Sequence, residues 1–318
     1  MEHKREVMNV KPYVRIARPD HWFKNVFMLP GTGLALLLVA EPGPGFVLDF
    51  IVGVVATCLL ASANYVINEY LDAEFDKFHP VKKNRPTVEG KIDGRMVAVE
   101  YVLLLVVGLV LSWTIGTLFF VVALFFVFMG ILYNVRPFRL KEKILVDVLS
   151  ESINNPIRLV LGWAIVEKAL LPPSSILLAY WFGGAFLMAV KRYSEYSNID
   201  NPELAASYRR SFKGYTKNIL LLSSFFYAMN SALFLGVFLI KYRIEFLIIF
   251  PFVVLLFTWY LWYGLRQDAV TENPEELYRK KYFIIYTSLL AALTVVLFLV
   301  DIPALSIFLE RGFIQVTE

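Results

Sequence analysis

Residues 47–76 read VLDFIVGVVATCLLASANYVINEYLDAEFD. The part from 47 to 67 is apolar apart from Asp49 and a few small polar residues, and roughly 20 such residues cross a hydrocarbon core of ~30 Å as a helix. The apolar run passes without a proline into Asn64-Tyr-Val-Ile-Asn68-Glu69-Tyr-Leu-Asp72-Ala-Glu-Phe-Asp76, where a polar residue stands at 64, 68, 72 and 76. Four residues turn a helix about 40° past a full circle, so Asn68, Asp72 and Asp76 lie along one stripe with apolar residues between them. A charge at the end of a membrane helix is expensive, on the order of 2.5 to 3.5 kcal/mol at the bilayer centre and less near the interface, unless it is paired or binds a metal. The stripe is therefore read as a site rather than as scaffold.

The same kind of stretch recurs along the chain. With 58% hydrophobic and 18% charged residues and a mean hydropathy of +0.60, a water-soluble fold would be left with too much apolar surface. Apolar stretches at 26–40, 47–67, 97–115, 117–134, 145–166, 174–192, 218–240, 244–265 and 282–300 predict an all-α, multi-pass transmembrane helical bundle of about nine helices. The count is eight if the short first stretch, which carries Gly31 and Gly33, does not cross. The whole chain, 1–318, is read as one integral membrane domain.

Lysine and arginine collect in residues 1–24 and in alternate connections near 77–95, 136–143, 191–217 and 266–281. The opposite side carries only Lys168, Lys241, Arg243 and Arg311, and Arg158 alone lies inside a span. Short loops rich in these residues stay in the cytoplasm, so the N-terminus and the charged connections are expected on the cytoplasmic side of the cell membrane, with the C-terminus outside. Residues 1–24 lack the apolar core and cleavage site of a signal peptide, so insertion is expected to use the first helices.

The net charge of +4 follows from this asymmetry and gives no support to nucleic-acid binding. Cys58 is the one cysteine and lies in an apolar helix, which excludes an intrachain disulfide and reads as packing. His3, His21 and His79 are scattered without ligand spacing and are assigned no catalytic or metal role. Outer connections such as 41–46 and 167–174 are short, proline-bearing turns. The cytoplasmic connections 68–96 and 191–217 are instead long and dense in both signs of charge, and are read as active-site loops.

The acidic stripe is followed by Lys77, Lys82, Lys83 and Arg85, cations that suit phosphate oxygens. The oxygen donors of Asn68, Glu69, Asp72 and Asp76 suit magnesium, which commonly bridges one or two carboxylates to substrate phosphates. A second cluster, Lys191-Arg192-Tyr193-Ser194-Glu195, closes the stretch 174–192 as the acidic stripe closes 47–67, and neighbouring helices could bring the two together across one cavity. A third set comprises Tyr133, Arg136, Arg139, Lys141, Lys143, Asp147 and Arg158, of which most read as interfacial anchors. Arg158 lies deep in an apolar stretch and must find a partner or a wet cavity. Asn154 and Asn155 before Pro156 predict an interrupted helix there.

Taken together, these residues resemble the UbiA superfamily of intramembrane transferases, helical bundles with an Asn-Asp-x-x-Asp-x-x-x-Asp motif after the second span. Asn68, Asp72 and Asp76 match it, and Glu69 stands where the family has Asp, which keeps a carboxylate but changes its reach. Within the superfamily the chain is similar to the decaprenyl-phosphate phosphoribosyltransferase branch. Arg18-Pro19-Asp20-His21-Trp22-Phe23-Lys24-Asn25 resembles its Arg-Pro-x-x-Trp-x-Lys-Asn opening, and Leu140-Lys141, Asp147 and Arg158 keep its spacing, with Tyr133 three residues farther away than usual. Where aromatic prenyltransferases carry a second Asp-x-x-x-Asp, this chain has Lys191-Arg192-x-x-Glu195, again similar to that branch.

The resemblance implies transfer of 5-phosphoribose from phosphoribosyl diphosphate to a polyprenyl phosphate of the decaprenyl type, with Mg²⁺ as cofactor and diphosphate leaving. Asp72, Asp76 and Asn68, aided by Glu69, would hold the metal and stabilise the leaving group. Lys82, Lys83 and Arg85 would hold phosphate oxygens. Lys191, Arg192 and Arg158 would place the lipid phosphate, and Lys24 either substrate, with Tyr133, Lys141 and Glu195 completing the substrate-binding set. The acceptor is already ionised, so no strong general base is required. The aromatic 16% of the chain suits an interfacial belt and a groove for the isoprenoid tail among the membrane lipids. The acidic motif equally serves a prenyltransferase moving an isoprenyl chain from its diphosphate, against which the cationic second motif argues. A transporter would place ionisable residues at the midplane with exits on both sides, and here only Arg158 is deep.

Overall fold

A computed structural model describes residues 10–39, 41–78, 82–199, 203, 206–207, 209–266, 271, 277 and 279–308. His3, His79 and Arg311 lie outside these. The chain divides into two compact units, residues 1–172 with 199–216 and residues 173–198 with 217–318.

The first unit is built around α3, Phe46–Asp76, a continuous helix of 31 residues that joins the predicted span and the acidic stripe. It packs against α4, Gly94–Ile115, and α5, Thr117–Asn134. Before α3 come a short α1, Lys11–Ile16, a 3-10 run over Pro19–Met28, and α2, Leu29–Leu38. Of the first predicted span, 26–40, α2 supplies ten residues, because the 3-10 run extends to Met28 and α2 starts only at Leu29, with Pro30 in its first turn. The predicted span 145–166 divides as expected, into α6, Val146–Ser152, and α7, Asn154–Ala164, with Asn154, Asn155 and Pro156 forming the first turn of α7. A proline there is harmless, because N–H groups in the first turn have no helical acceptor.

The core of this unit joins Met28, Leu60, Phe119, Phe126, Ile157 and Leu161. Helices α2 and α7 cross backbone to backbone. A Cβ on Gly31 would lie 1.9 Å from the Leu159 carbonyl oxygen, and one on Gly162 would lie 1.9 Å from that of Met28. Thr32 Oγ1 donates to the Gly162 carbonyl at 2.8 Å across the same crossing. Small residues at such contacts let membrane helices approach closely where no hydrophobic force drives them together.

The second unit contains α8, Ser174–Ser197, α9, Lys217–Tyr242, α10, Phe250–Leu265, and α11, Lys281–Leu299. Helices α8 and α9 pack along their length, with Ser231 Oγ donating to the Ala179 carbonyl at 2.9 Å beside Gly183. Phe186 and Phe257 stack with centroids 4.8 Å apart.

Helices α3, α4, α5, α8 and α9 are each long and apolar enough to cross a membrane. Their outward faces expose Val102, Val106, Trp113, Phe128, Leu222 and Phe225. Apolar surface on this scale is lipid-facing, and the protein is an integral membrane protein.

Candidate active site

The last three turns of α3 carry the predicted stripe, and two clusters of partners close on it from different sides. On one, Asp72 Oδ1 meets Arg139 Nη2 at 2.8 Å and Lys141 Nζ at 2.6 Å. Arg139 Nε also meets Glu142 Oε1 at 2.6 Å, and Glu142 Oε2 in turn meets Arg210 at 3.3 Å. Phe75 lies beneath both arginines, with ring-centroid distances of 5.0 Å to Arg139 and 5.1 Å to Arg210. On the other side, buried Asp76 takes a 2.5 Å bond from Arg85 Nη1, and the same guanidinium lies 3.7 Å from buried Glu69. Thr87 Oγ1 donates to Glu69 at 3.5 Å.

The two clusters differ in charge. Arg139, Lys141 and Arg210 face Asp72 and Glu142, an excess of cation that suits a phosphate. Arg85 pairs with both Glu69 and Asp76, and the charges of Arg18 and Arg15 act on Glu69 and that of Lys82 on Asp76, so these carboxylates are matched by cations.

Asn134, at the end of α5, sets the orientation of the amide on the stripe. Its Nδ2 donates to the Gly130 carbonyl at 2.9 Å, so its Oδ1 is the acceptor, taking Asn68 Nδ2 at 2.5 Å and Lys141 Nζ at 2.8 Å. Asn68 Oδ1 is thereby turned away from Asn134. Burial holds the Lys141 ammonium down, from 10.5 to about 8, against the opposing pull of the Asp72 carboxylate. Tyr133 stands beside it, the Lys141 Nζ 5.8 Å from its ring centroid, while its hydroxyl donates to Glu151 at 2.8 Å.

Arg158 finds the partner that the sequence demanded. Its Nε donates to Asn25 Oδ1 at 2.9 Å, Nη1 donates to the Asn154 carbonyl at 3.3 Å, and its guanidinium carbon lies 5.3 Å from the Phe126 centroid. Asn25 in turn donates to Cys58 Sγ at 3.1 Å, which gives that buried cysteine a structural contact. Lys24 is half-buried on the same 3-10 run, and Lys82 and Lys83 stand in a short turn before Arg85. Buried His21 is held by Arg18 and lies 3.4 Å from Asp20. Lys191, Arg192 and Glu195 stand on α8 of the second unit, where buried Arg192 pairs with Glu195 at 3.3 Å. Asp147 is fully buried and accepts from Ser211 at 3.1 Å and Tyr215 at 2.6 Å, which fastens segment 209–216 to the start of α6.

Among the described residues no three His, Cys, Asp or Glu side chains converge as a ready-made metal cage. The donor set nevertheless fits magnesium. Both ion pairs of Asp72 fall on Oδ1, and among the described residues neither Asp72 Oδ2 nor Asn68 Oδ1 is recorded with a partner. These are hard oxygens one helical turn apart, and magnesium needs only one or two carboxylates when phosphates and water complete its shell.

From the sequence Arg139 reads as an interfacial anchor, Asn25 only as the last residue of the Arg18–Asn25 motif, and Asn134 gives no signal.

A family profile described as the UbiA prenyltransferase family matches residues 28–284. Decaprenyl-phosphate phosphoribosyltransferase of Mycolicibacterium smegmatis is 30% identical over 219 residues, 66% of this chain and 64% of that protein, so the match spans just under two thirds of the relative's length. Protoheme IX farnesyltransferase of Macrococcus caseolyticus is 24% identical over 195 residues, 60% of this chain and 61% of the relative. Among solved structures, a UbiA homolog from Archaeoglobus fulgidus bound to DMAPP and Mg²⁺ has a TM-score of 0.68 at 21% identity, covering 91% of this chain and 99% of that one, a likeness of fold.

Proposed function

The chain belongs to the UbiA prenyltransferase family, and from that premise we propose that it is a Mg²⁺-dependent membrane transferase that moves 5-phosphoribose from phosphoribosyl diphosphate to a polyprenyl phosphate. The observation that carries the reading is the junction at Asp72, where two oxygens fit for a metal adjoin a cluster with surplus cation. The sugar donor is supported by Lys191-Arg192-x-x-Glu195 in place of a second acidic pair, and by the name of the mycobacterial relative. The clustering of lysine and arginine in alternate connections supports a cytoplasmic site at the cell membrane.

In this mechanism the oxygens of Asn68 and Asp72 would hold the ion, with Asp76 and Glu69 adding carboxylate charge from their cluster with Arg85. When bound, the ion neutralises charge on the diphosphate as it departs. The bond from the anomeric carbon to the diphosphate oxygen breaks, its electron pair leaving with diphosphate, and a bond to an oxygen of the lipid phosphate forms. Lys141 donates to the phosphate side, kept in place by Asn134 and flanked by Tyr133. Arg85, which bridges the buried carboxylates, would with Lys82 and Lys83 hold diphosphate oxygens. Lys24 and Arg158 would place the lipid phosphate, which needs no base because it is already ionised.

Purified protein incubated with Mg²⁺, radiolabelled phosphoribosyl diphosphate and a polyprenyl phosphate is expected to carry label into the organic phase. A second reading, isoprenyl transfer, is favoured by the farnesyltransferase relative and by the DMAPP in the Archaeoglobus structure. Label that moves only from an isoprenyl diphosphate to an aromatic acceptor would replace the first reading by the second.

Lys141 gives the reaction a pH signature. Its charge is present below about 8 and is lost as pH rises through that value, so its grip on phosphate weakens on the alkaline side. The ratio kcat/KM, which reports the free enzyme, is expected to fall above about pH 8 in the parent. In Lys141→Arg, whose guanidinium stays charged, it is expected to hold level farther into the alkaline range. Identical alkaline limbs in the two proteins would remove Lys141 from this role.

A further inference from the structure

Arg139 has an uncommon backbone for a side-chain-bearing residue, φ 34° and ψ 60° in the left-handed region. Strain of that kind persists where surrounding contacts over-determine it, and here they do. The buried guanidinium donates from Nη2 to Asp72 Oδ1 at 2.8 Å and to the Leu71 carbonyl at 3.3 Å, from Nη1 to the Asn134 carbonyl at 3.2 Å, and from Nε to Glu142 at 2.6 Å. Its flat face rests on Phe75. Every one of these partners is fixed to α3, to the end of α5 or to the turn that follows, so the guanidinium has no latitude to swing toward a substrate. Lys141, the other cation on Asp72 Oδ1, has a single flexible stem.

We infer that Arg139 is a positioning residue: by gripping Asp72 Oδ1 it fixes the carboxylate so that Oδ2 stays aligned with Asn68 Oδ1 toward one cation. The inference rests on the metal role proposed for that pair. Coulomb's law alone says the opposite of what this geometry says, because a guanidinium beside a metal ligand repels a divalent ion and its removal would tighten binding. The two accounts therefore differ in sign.

The test is Mn²⁺ binding to the purified full chain, followed by electron paramagnetic resonance and needing no turnover, with size exclusion as the check on folding. Arg139→Lys keeps the charge and loses the planar fork, and Arg139→Gln loses both. Each is expected to weaken Mn²⁺ about 10-fold, the lower range for residues that orient metal ligands. Glu142→Gln, which loosens the far end of the guanidinium and touches no proposed ligand, is expected to weaken it less, and it decides the matter if the Arg139 variants fail to fold. Tighter binding in Arg139→Gln, or wild-type affinity in Arg139→Lys, overturns the inference while the metal site stands. A parent chain that binds no Mn²⁺ overturns the metal reading, and the inference with it.

Discussion

Asp72→Asn lowers label transfer from phosphoribosyl diphosphate by about 10³-fold, the upper range for removing one electrostatic contact to a transition state. Asparagine keeps an oxygen in the place of Oδ1, so Arg139 and Lys141 still find an acceptor. What it loses is the charge that the metal needs. Lys141, already near 8, can shed its proton instead of standing as an unpaired buried cation, and Arg139 retains Glu142. The fold therefore survives the substitution and the loss reads as chemistry. Alanine at the same position is a poorer probe, because it removes the oxygen that Arg139 and Lys141 share together with the charge. Transfer and melting temperature are measured on the same preparation; more than a tenth of the parent rate in folded Asp72→Asn would take Asp72 out of the reaction.

Gly162→Ala is the substitution with the largest expected effect on stability. Its new Cβ would fall 1.9 Å from the Met28 carbonyl oxygen, where only movement of one helix backbone can relieve the contact. Overpacking of this kind costs about 1 to 3 kcal/mol and more where backbone must shift. The same displacement pulls Thr32 from the Gly162 carbonyl and, one turn away, Arg158 from Asn25. Melting temperature and transfer activity are expected to fall together. Gly31→Ala meets the opposite side of the crossing, and the double variant should cost less than the sum, since one separation of the helices relieves both clashes. Gly33→Ala supplies the control, because nothing lies within 4 Å of a Cβ there and the helix gains a better former. Equal melting of Gly162→Ala and Gly33→Ala would mean that the close crossing is not required.

The sequence made the acidic stripe readable because a helix repeats every 3.6 residues, and Asn68, Asp72 and Asp76 needed nothing from elsewhere in the chain to share a face. The break before Pro156 was readable for the same local reason. Arg158 announced that it needed a partner, but Asn25 lies 133 residues away on a 3-10 run whose side-chain directions no helical periodicity gives. Arg139 was hidden differently. It reads as an interfacial anchor, and only the left-handed backbone turns its guanidinium back over Phe75 to a carboxylate 67 residues earlier. The first span came out shorter than its apolar run because the 3-10 run continues to Met28, and Pro30 then sits in the first turn of α2, where a proline starts a helix rather than breaks it.

Helix α3 is 31 residues long, about 46 Å at 1.5 Å per residue, against a hydrocarbon core of ~30 Å. Roughly its last ten residues therefore project beyond the acyl chains, and these carry Asn68, Glu69, Asp72 and Asp76. On the proposed function the two substrates then arrive through spaces of different dimension. The sugar donor diffuses in from bulk water, whereas the lipid acceptor slides within one leaflet with its phosphate already at the height of the carboxylates. Encounter with the acceptor is governed by its mole fraction in the surface rather than by its concentration in the vessel, so neutral lipid or detergent dilutes it even when no water is added.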